Sequence, residues 1–481
     1  MSNERKLIIT SGEKIVGDII EKDGDFTFKY DDSWIGSKES FDMSPNIKKT
    51  LKIHSGNQIK NFLENLLPEN AIRKRIAENN KTDDKDIIKL LEITGRDAAG
   101  ALQVYSEEDF KNLKYKSSEV HTISIDELAT GIKREGSALN YITSVGLKPS
   151  LSGAQDKIAC RYDKANKTIS FPTNGGATTH ILKPNSVARD THHKLLELSA
   201  LNELVSMRLA KKILSNVPST RFYESTERDL FIVERYDRMV EKTDIKRIHQ
   251  FDFCQYFGIG SADKYEVSNS GGSIGPYGIK KLFEAIRDKS EESLDVDSFL
   301  DWIIYNYLIE NTDSHLKNIS MISTGSGFKL APYYDMTSVG FYRDGKAFLF
   351  DNHFAFLIGG VSKMNDIGDH HWTLLAKELG IAQGIFLEKI KNMSIKISKY
   401  LPEIYNELKN DITNAKNLKG AEKILKYIGT SVKEKSYRCL INTTYKNIRE
   451  KCLECDKALA TRMANKSVLG IGPECLMKIE K

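Results

Sequence analysis

Cysteine is scarce in this chain, with six in 481 residues, too few to suggest a disulfide framework at this length. Four of the six, Cys439, Cys452, Cys455 and Cys475, fall in the last segment. Cys452 and Cys455 have half of a zinc-site spacing, but no second close pair accompanies them, so reduced thiols are expected. Long apolar runs are missing as well. Nothing approaches the roughly 18 apolar residues of a membrane span, and the charged start Met1-Ser-Asn-Glu-Arg-Lys6 is unlike a secretory signal. The expectation is a soluble, cytoplasmic protein. An excess of one charge is also absent. The balance of 71 − 66 = +5 is mildly basic and does not indicate nucleic-acid binding by itself. There are no repeats or low-complexity tracts, and neither a GxGxxG nor a Walker phosphate loop. The length leaves room for two or three domains and a sizeable core.

What is present centres on Asn311-Thr-Asp-Ser-His-Leu-Lys-Asn318, followed by Pro332-Tyr-Tyr-Asp335. An acid and an amide five residues apart, then a second acid beyond an apolar hairpin, match the needs of phosphoryl transfer. Asp313 is expected to accept the proton of an attacking hydroxyl, with Asn318 and Asp335 holding Mg²⁺ against the phosphates. Periodicity predicts a helix over Ser298–Glu310, ending near Asn311, with Phe299, Ile303 and Tyr307 beside Leu300, Ile304 and Leu308 on one face. Short strands at Asn318–Ile322 and Phe328–Ala331, around the Gly-rich turn 323–327, would return the chain to bring Asp335 near Asp313.

Upstream, residues 1 to about 50 alternate as strands, with Glu21–Asp25 as a turn, and helical patterns follow from Asn57. Gly95–Tyr105 closes this unit with a strand, and no catalytic residue is expected in it. Residues 106–148 read as a connection with short helices. Ser150-Leu-Ser-Gly-Ala-Gln-Asp-Lys157 then resembles a loop over a phosphate leading into a strand, with Ser152, Gly153, Ala154, Gln155 and Lys157 as candidate nucleotide contacts. Lys183 ends the apolar strand His180–Pro184, where a phosphate-pairing lysine belongs, and Glu203 lies on the following helix as its ion-pair partner, with Glu197 as competitor. Leu230–Asp237 fits a hinge whose backbone, from Glu234 to Tyr236, could meet an adenine. His315 and Lys317 join the candidate nucleotide contacts. His370 and His371, near Asp366 and Asp369, lack a third His or Cys close by and are read as ordinary histidines.

The order of these pieces is that of a bilobal kinase, and their wording is more specific still. Val16-Gly-Asp18, Phe62-Leu-Glu-Asn-Leu-Leu-Pro68, Gly95-Arg-Asp-Ala-Ala-Gly100, Ser152–Lys157, His180–Pro184, Val233-Glu-Arg-Tyr-Asp-Arg238, His249–Gln255 and Asn311–Asn318 resemble, in order, the motifs of HipA-type serine/threonine kinases of toxin–antitoxin systems. The resemblance implies an α+β, bilobal protein-kinase-like fold with a β-rich amino-terminal lobe and an all-helical carboxy-terminal lobe. The expected divisions are an accessory module at 1–110, the kinase lobes at 111–236 and 237–415, and a helical extension at 416–481. The resemblance further implies ATP and Mg²⁺ as cofactors and autophosphorylation of the phosphate loop, for which Ser150 and Ser152 are both candidates. Also implied are a helix-turn-helix antitoxin of HipB type, with DNA met only through that complex, and a protein substrate of the aminoacyl-tRNA synthetase class, such as the glutamyl enzyme. Two alternatives stay open on the residues: a small-molecule kinase of the same fold, and a non-catalytic nucleotide-binding partner of a repressor.

Overall fold

The computed structural model describes residues 4–451 apart from 114–119, 149–151, 154, 187–197, 242–243, 268–273 and 343–351, with side chains as far as residue 440. The expectations for Ser150, Ala154, Glu197, Cys452, Cys455 and Cys475 lie outside the described residues.

The chain begins with an antiparallel meander of β1 (Glu4–Ser11), β2 (Lys14–Lys22) and β3 (Asp25–Tyr30), extended by β4 (Ile53–Ser55) and β5 (Gln103–Ser106) in the order β4-β3-β2-β1-β5. Alternation explains the meander: Phe26, Phe28 and Tyr30 are buried while the intervening Lys29 faces solvent. Asp23 and Gly24 form a two-residue turn with φ of 55° and 90°, the left-handed pair that matches hairpin twist. The helices Asn57–Glu64 and Ile87–Thr94 cover the buried face with Phe62, Leu63, Leu90 and Leu91.

A second, six-stranded antiparallel sheet is built from β6 (Val120–Ser124), β7 (Ile158–Asp163), β8 (Thr168–Pro172), β9 (His180–Pro184), β10 (Thr220–Tyr223) and β11 (Leu230–Glu234), in the order β10-β11-β9-β7-β8-β6. The region expected to be only a connection with short helices thus also supplies an edge strand. In β6 only Ile123 is buried, so alternation is too weak to reveal it. The helix Ser199–Ile213 packs on β10 and β11.

Beyond the hinge come the hairpin β12 (Arg238–Glu241) and β13 (Asp244–Arg247), and then a three-stranded sheet of β14 (Gln250–Asp252), β15 (Ser320–Ser323) and β16 (Phe328–Leu330). The carboxy-terminal lobe is therefore mainly helical rather than all-helical. The strands β14, β15 and β16 are three or four residues long, and the hairpin of β15 and β16 connects Asn318 to Asp335. The lobe's central helix, Asp295–Leu308, buries Trp302, Tyr305 and Asn306 as well as the expected face. From Trp302 to Leu308 that helix is buried on every side.

The carboxy-terminal helix Ala415–Lys451 packs along the helix Ile385–Asp411 and reaches the end of the central helix. Ser431 Oγ donates to the Leu308 carbonyl at 2.8 Å, and the Glu310 carboxylate accepts from Tyr427 at 2.6 Å and pairs with Lys435. These contacts fix the chain reversal at Glu310, whose φ is +58°, three residues before Asp313. Among the described residues no helix is long and apolar enough to cross a membrane.

Candidate active site

The central helix stops at a turn made of its own amides. The Asn311 N–H donates to the Asn306 carbonyl at 2.8 Å, Asn311 Nδ2 donates to Asn306 Oδ1 at 2.8 Å, and Asn311 Oδ1 accepts from the Asp313 N–H at 3.2 Å. The turn then closes on itself. Asn318 Nδ2 donates to the Asp313 carbonyl at 2.7 Å, and the Asn318 N–H donates to the His315 carbonyl at 2.8 Å. Five-residue spacing thus becomes a fixed juxtaposition of the Asp313 carboxylate and the Asn318 side chain. The Asp313 side chain is 55% exposed and so accessible to a group from outside. It accepts a hydrogen bond from Tyr265 Oη.

Lys183 on β9 pairs with Glu203 at 2.7 Å and also with Asp335. Glu203 is the glutamate that the structure brings to this lysine, and it is nearly inaccessible at 2% exposure. Burial pushes the Glu203 carboxyl up to about 7 against the attraction of Lys183. Burial also opposes ionisation of Asp335, but Lys183 and Lys157 outweigh it and hold that acid down at about 2. Lys183 thus favours the carboxylate form of Asp335. The φ of +56° at Asp335 is a left-handed conformation that aspartate tolerates better than most residues.

These groups line one cavity of about 640 Å³ between the two lobes. Ser152, Gly153, Gln155 and Lys157 of the phosphate-loop candidate reach it, as do Glu234 and Tyr236 of the hinge. The Tyr236 ring stacks on Tyr334 with centroids 5.5 Å apart. Gly153 has φ +105°, a left-handed conformation for which the loop needs glycine. Asp156 ties this loop down by accepting from the Ala138 and Leu139 N–H groups at 2.7 and 3.1 Å.

Two expected contacts behave differently. Burial pushes the His315 imidazole down to about 4, so at neutral pH it is a neutral ring rather than a cation. Lys317 does not offer a free ammonium to a phosphate: it pairs with Glu69 of the amino-terminal module at 2.9 Å and donates to the Asn65 carbonyl at 3.3 Å. The physical reason is that a buried lysine takes the nearest buried carboxylate. His371 accepts from the Gly368 N–H at 3.1 Å, at the start of the helix Asp369–Leu379. Among the described residues no cluster of three His, Cys, Asp or Glu side chains suits a metal ion.

Sequence reasoning passed over Glu69, Tyr265 and a buried ion network at the hinge. In the network, Asp97 pairs with Arg235, Arg238 and Arg247 at 3.2, 2.9 and 3.1 Å, and Asp237 pairs with Arg235 and Arg238 at 2.8 Å each. The Gly100 N–H donates to Asp237 at 2.7 Å. This joins the two motifs Gly95–Gly100 and Val233–Arg238 face to face. The available signal was charge density at the end of an apolar strand, since such residues are buried only when paired.

A pH dependence follows from Lys157. Burial, aided by the neighbouring Lys183, lowers its ammonium to about 8. The charged form, the one that would attract a phosphate, is present below that pH and lost above it. For the free enzyme, kcat/KM for ATP is expected to fall tenfold per pH unit above about 8. Lys157→Arg should remove that limb; an unchanged limb would assign it to another group.

The chain is similar to known proteins in both its amino-terminal module and its kinase-like part. Residues 7–105 match the family model described as the HipA N-terminal domain, and residues 149–401 match the HipA-like C-terminal domain. The chain is 31% identical over 387 residues to the Sinorhizobium fredii protein Y4mE, covering 79% of this chain and 87% of that protein. It is 26% identical over 390 residues to the serine/threonine-protein kinase toxin HipA of Shewanella oneidensis, covering 79% and 84% respectively. Among solved structures, the Shewanella oneidensis toxin–antitoxin complex of HipA, HipB and operator DNA shares the fold, with a TM-score of 0.73 at 23% identity over 89% of this chain and 97% of that one.

Proposed function

Since this chain belongs to the HipA family of kinases, we propose that it transfers the γ-phosphoryl group of ATP to a serine or threonine of a protein and arrests growth unless a HipB-type, helix-turn-helix antitoxin is bound. The observation that carries the reading is the convergence of Asp313, Asn318, Asp335, Lys183 and Glu203 on one interlobe cavity. Asp313 takes the proton of the attacking hydroxyl, and Lys183, steadied by Glu203, is the donor to the phosphates. One carboxylate and one amide oxygen, Asp335 and Asn318, form a sparse donor set that suits Mg²⁺, which keeps waters and phosphate oxygens in its shell. Because Asn318 Nδ2 is used on the Asp313 carbonyl, its oxygen is the atom left for a cation. Bound Mg²⁺ supplies neutralisation of the charge on the transferring phosphate. For Asp335 to meet a cation, Lys183 exchanges it for a phosphate while keeping Glu203.

The substrate class carried by the resemblance is an aminoacyl-tRNA synthetase, with the glutamyl enzyme as the first candidate. The loop serines Ser150 and Ser152 are the candidate sites of self-modification. Ser152 borders the cavity, and a phosphate there would repel those of the nucleotide. DNA would be met through the antitoxin complex, like the one in which the Shewanella oneidensis relative was solved.

The test is incubation of unphosphorylated protein with Mg²⁺ and labelled ATP, alone and with a host lysate, followed by mass mapping. Label on Ser150 or Ser152 in the wild type, and none in Asp335→Asn, is the expected result. No label on any protein would favour the non-catalytic nucleotide-binding reading. Label only in the small-molecule fraction would favour a metabolite kinase.

A further inference from the structure

The amino-terminal module touches the phosphotransfer centre through one carboxylate. Glu69 directly follows Pro68 at the start of the helix Asn70–Asn79 and is 8% exposed. One of its oxygens lies 2.9 Å from Lys317 Nζ and the other 2.8 Å from Lys264 Nζ. Burial opposes ionisation of Glu69, but the two ammonium groups prevail and hold it at about 2. Its backbone N–H donates to the Gly153 carbonyl at 3.1 Å. A single residue of the module thus contacts both the phosphate loop and the catalytic loop.

Each lysine leads to a working group. Lys317 immediately precedes Asn318, and its carbonyl accepts from Tyr334 Oη at 2.7 Å, next to Asp335. The Lys264 carbonyl accepts from the Leu316 N–H at 3.1 Å, and the next residue, Tyr265, donates its phenol hydrogen to Asp313 Oδ1. The Tyr265 ring also meets His315 edge-on, with centroids 4.9 Å apart. Without Glu69 the buried Lys317 and the half-buried Lys264 would face each other, with Asp252 beside Lys317 to offset them in part. They would separate, and the segments that carry them would move.

We infer that Glu69 is a positioning residue for phosphoryl transfer: by clamping Lys264 and Lys317 it sets the Tyr265–Asp313 hydrogen bond and the placement of Asn318, while its backbone anchors the phosphate loop. The amino-terminal module is then part of the active site. Tyr265 occupies Asp313 Oδ1 and leaves Oδ2 for the incoming hydroxyl. This inference rests on the roles proposed above for Asp313 and Asn318.

The experiment compares full-length wild type, Glu69→Gln, Glu69→Asp and Tyr265→Phe. Two readouts are used: the rate of self-phosphorylation against ATP concentration, and amide hydrogen exchange over residues 311–318. For Glu69→Gln the limiting rate should fall about ten- to a hundredfold, as for other groups that orient catalytic residues, with half-saturation by ATP changed less than about threefold. Exchange over 311–318 should quicken while that of the central helix does not. Glu69→Asp, which keeps the charge, should recover part of both effects, and it carries the test should Glu69→Gln fail to fold. Loss in the Glu69→Gln/Tyr265→Phe double variant should be clearly smaller than the product of the single losses. Wild-type rate and exchange in Glu69→Gln would overturn the inference. An inactive wild type would overturn the kinase roles instead, and the exchange readout would still decide whether Glu69 orders the loop.

Discussion

Asp313→Asn is expected to lower phosphoryl transfer by about a hundred- to ten-thousandfold, the range of a positioned general base, and to relieve growth arrest on expression. The substitution is nearly isosteric at a side chain that is 55% exposed, so little folding energy is at stake. The amide oxygen can still accept from Tyr265, and the backbone contacts to Asn311 and Asn318 involve the main chain of residue 313. What disappears is the basic carboxylate. Labelled-ATP turnover read beside a thermal melt separates the two effects. A variant that melts like the wild type and still transfers phosphate at a comparable rate would remove Asp313 from the proposed role.

The largest effect on stability is expected from Asp97→Ala, at roughly 3–5 kcal/mol, the usual cost of breaking a buried ion pair by removing one partner. Asp97 is 6% exposed and takes hydrogen bonds from Arg235, Arg238, Arg247 and Thr178. Its removal leaves three guanidinium groups with one carboxylate, Asp237, in a site that excludes water. Arg235 also donates to the Ala98 carbonyl at 2.9 Å and directly precedes Tyr236, so the hinge should loosen together with the module. Denaturant unfolding should show the loss, and nucleotide affinity should weaken in parallel. Asp97→Asn keeps an acceptor and should cost less than the alanine variant. A loss for Asp97→Ala below about 1 kcal/mol, the level of an exposed pair, would mean that the network does not hold the module to the hinge.

These two residues mark different degrees of legibility. The candidate Asp313 and its surroundings could be picked out directly, because its partners Asn311 and Asn318 lie in the same tight turn, within eight residues. Lys183 was nearly as clear: an apolar strand ends in a cation, and its partner lies one helix later. Only the choice of Glu203 needed the fold. The strands 320–323 and 328–330 and the amino-terminal meander were visible because alternation and turn chemistry are local properties of the chain. Asp97 was visible as part of a motif, yet its arginine partners stand 138 to 150 positions away.

From the sequence alone came the candidate phosphotransfer residues, the order of the lobes and the resemblance to the family, since each rests on spacing within a few residues or on periodicity. Tertiary structure alone decided that Lys317 serves Glu69, that Tyr265 meets Asp313, that Glu310 is held by Lys435 from the carboxy-terminal helix, and that the amino-terminal module closes on the hinge. Each of these pairs a charge or a hydroxyl with a partner far along the chain. Such partners are chosen when two lobes and a module exclude water around them, because only there does an unpaired charge cost enough to select its neighbour.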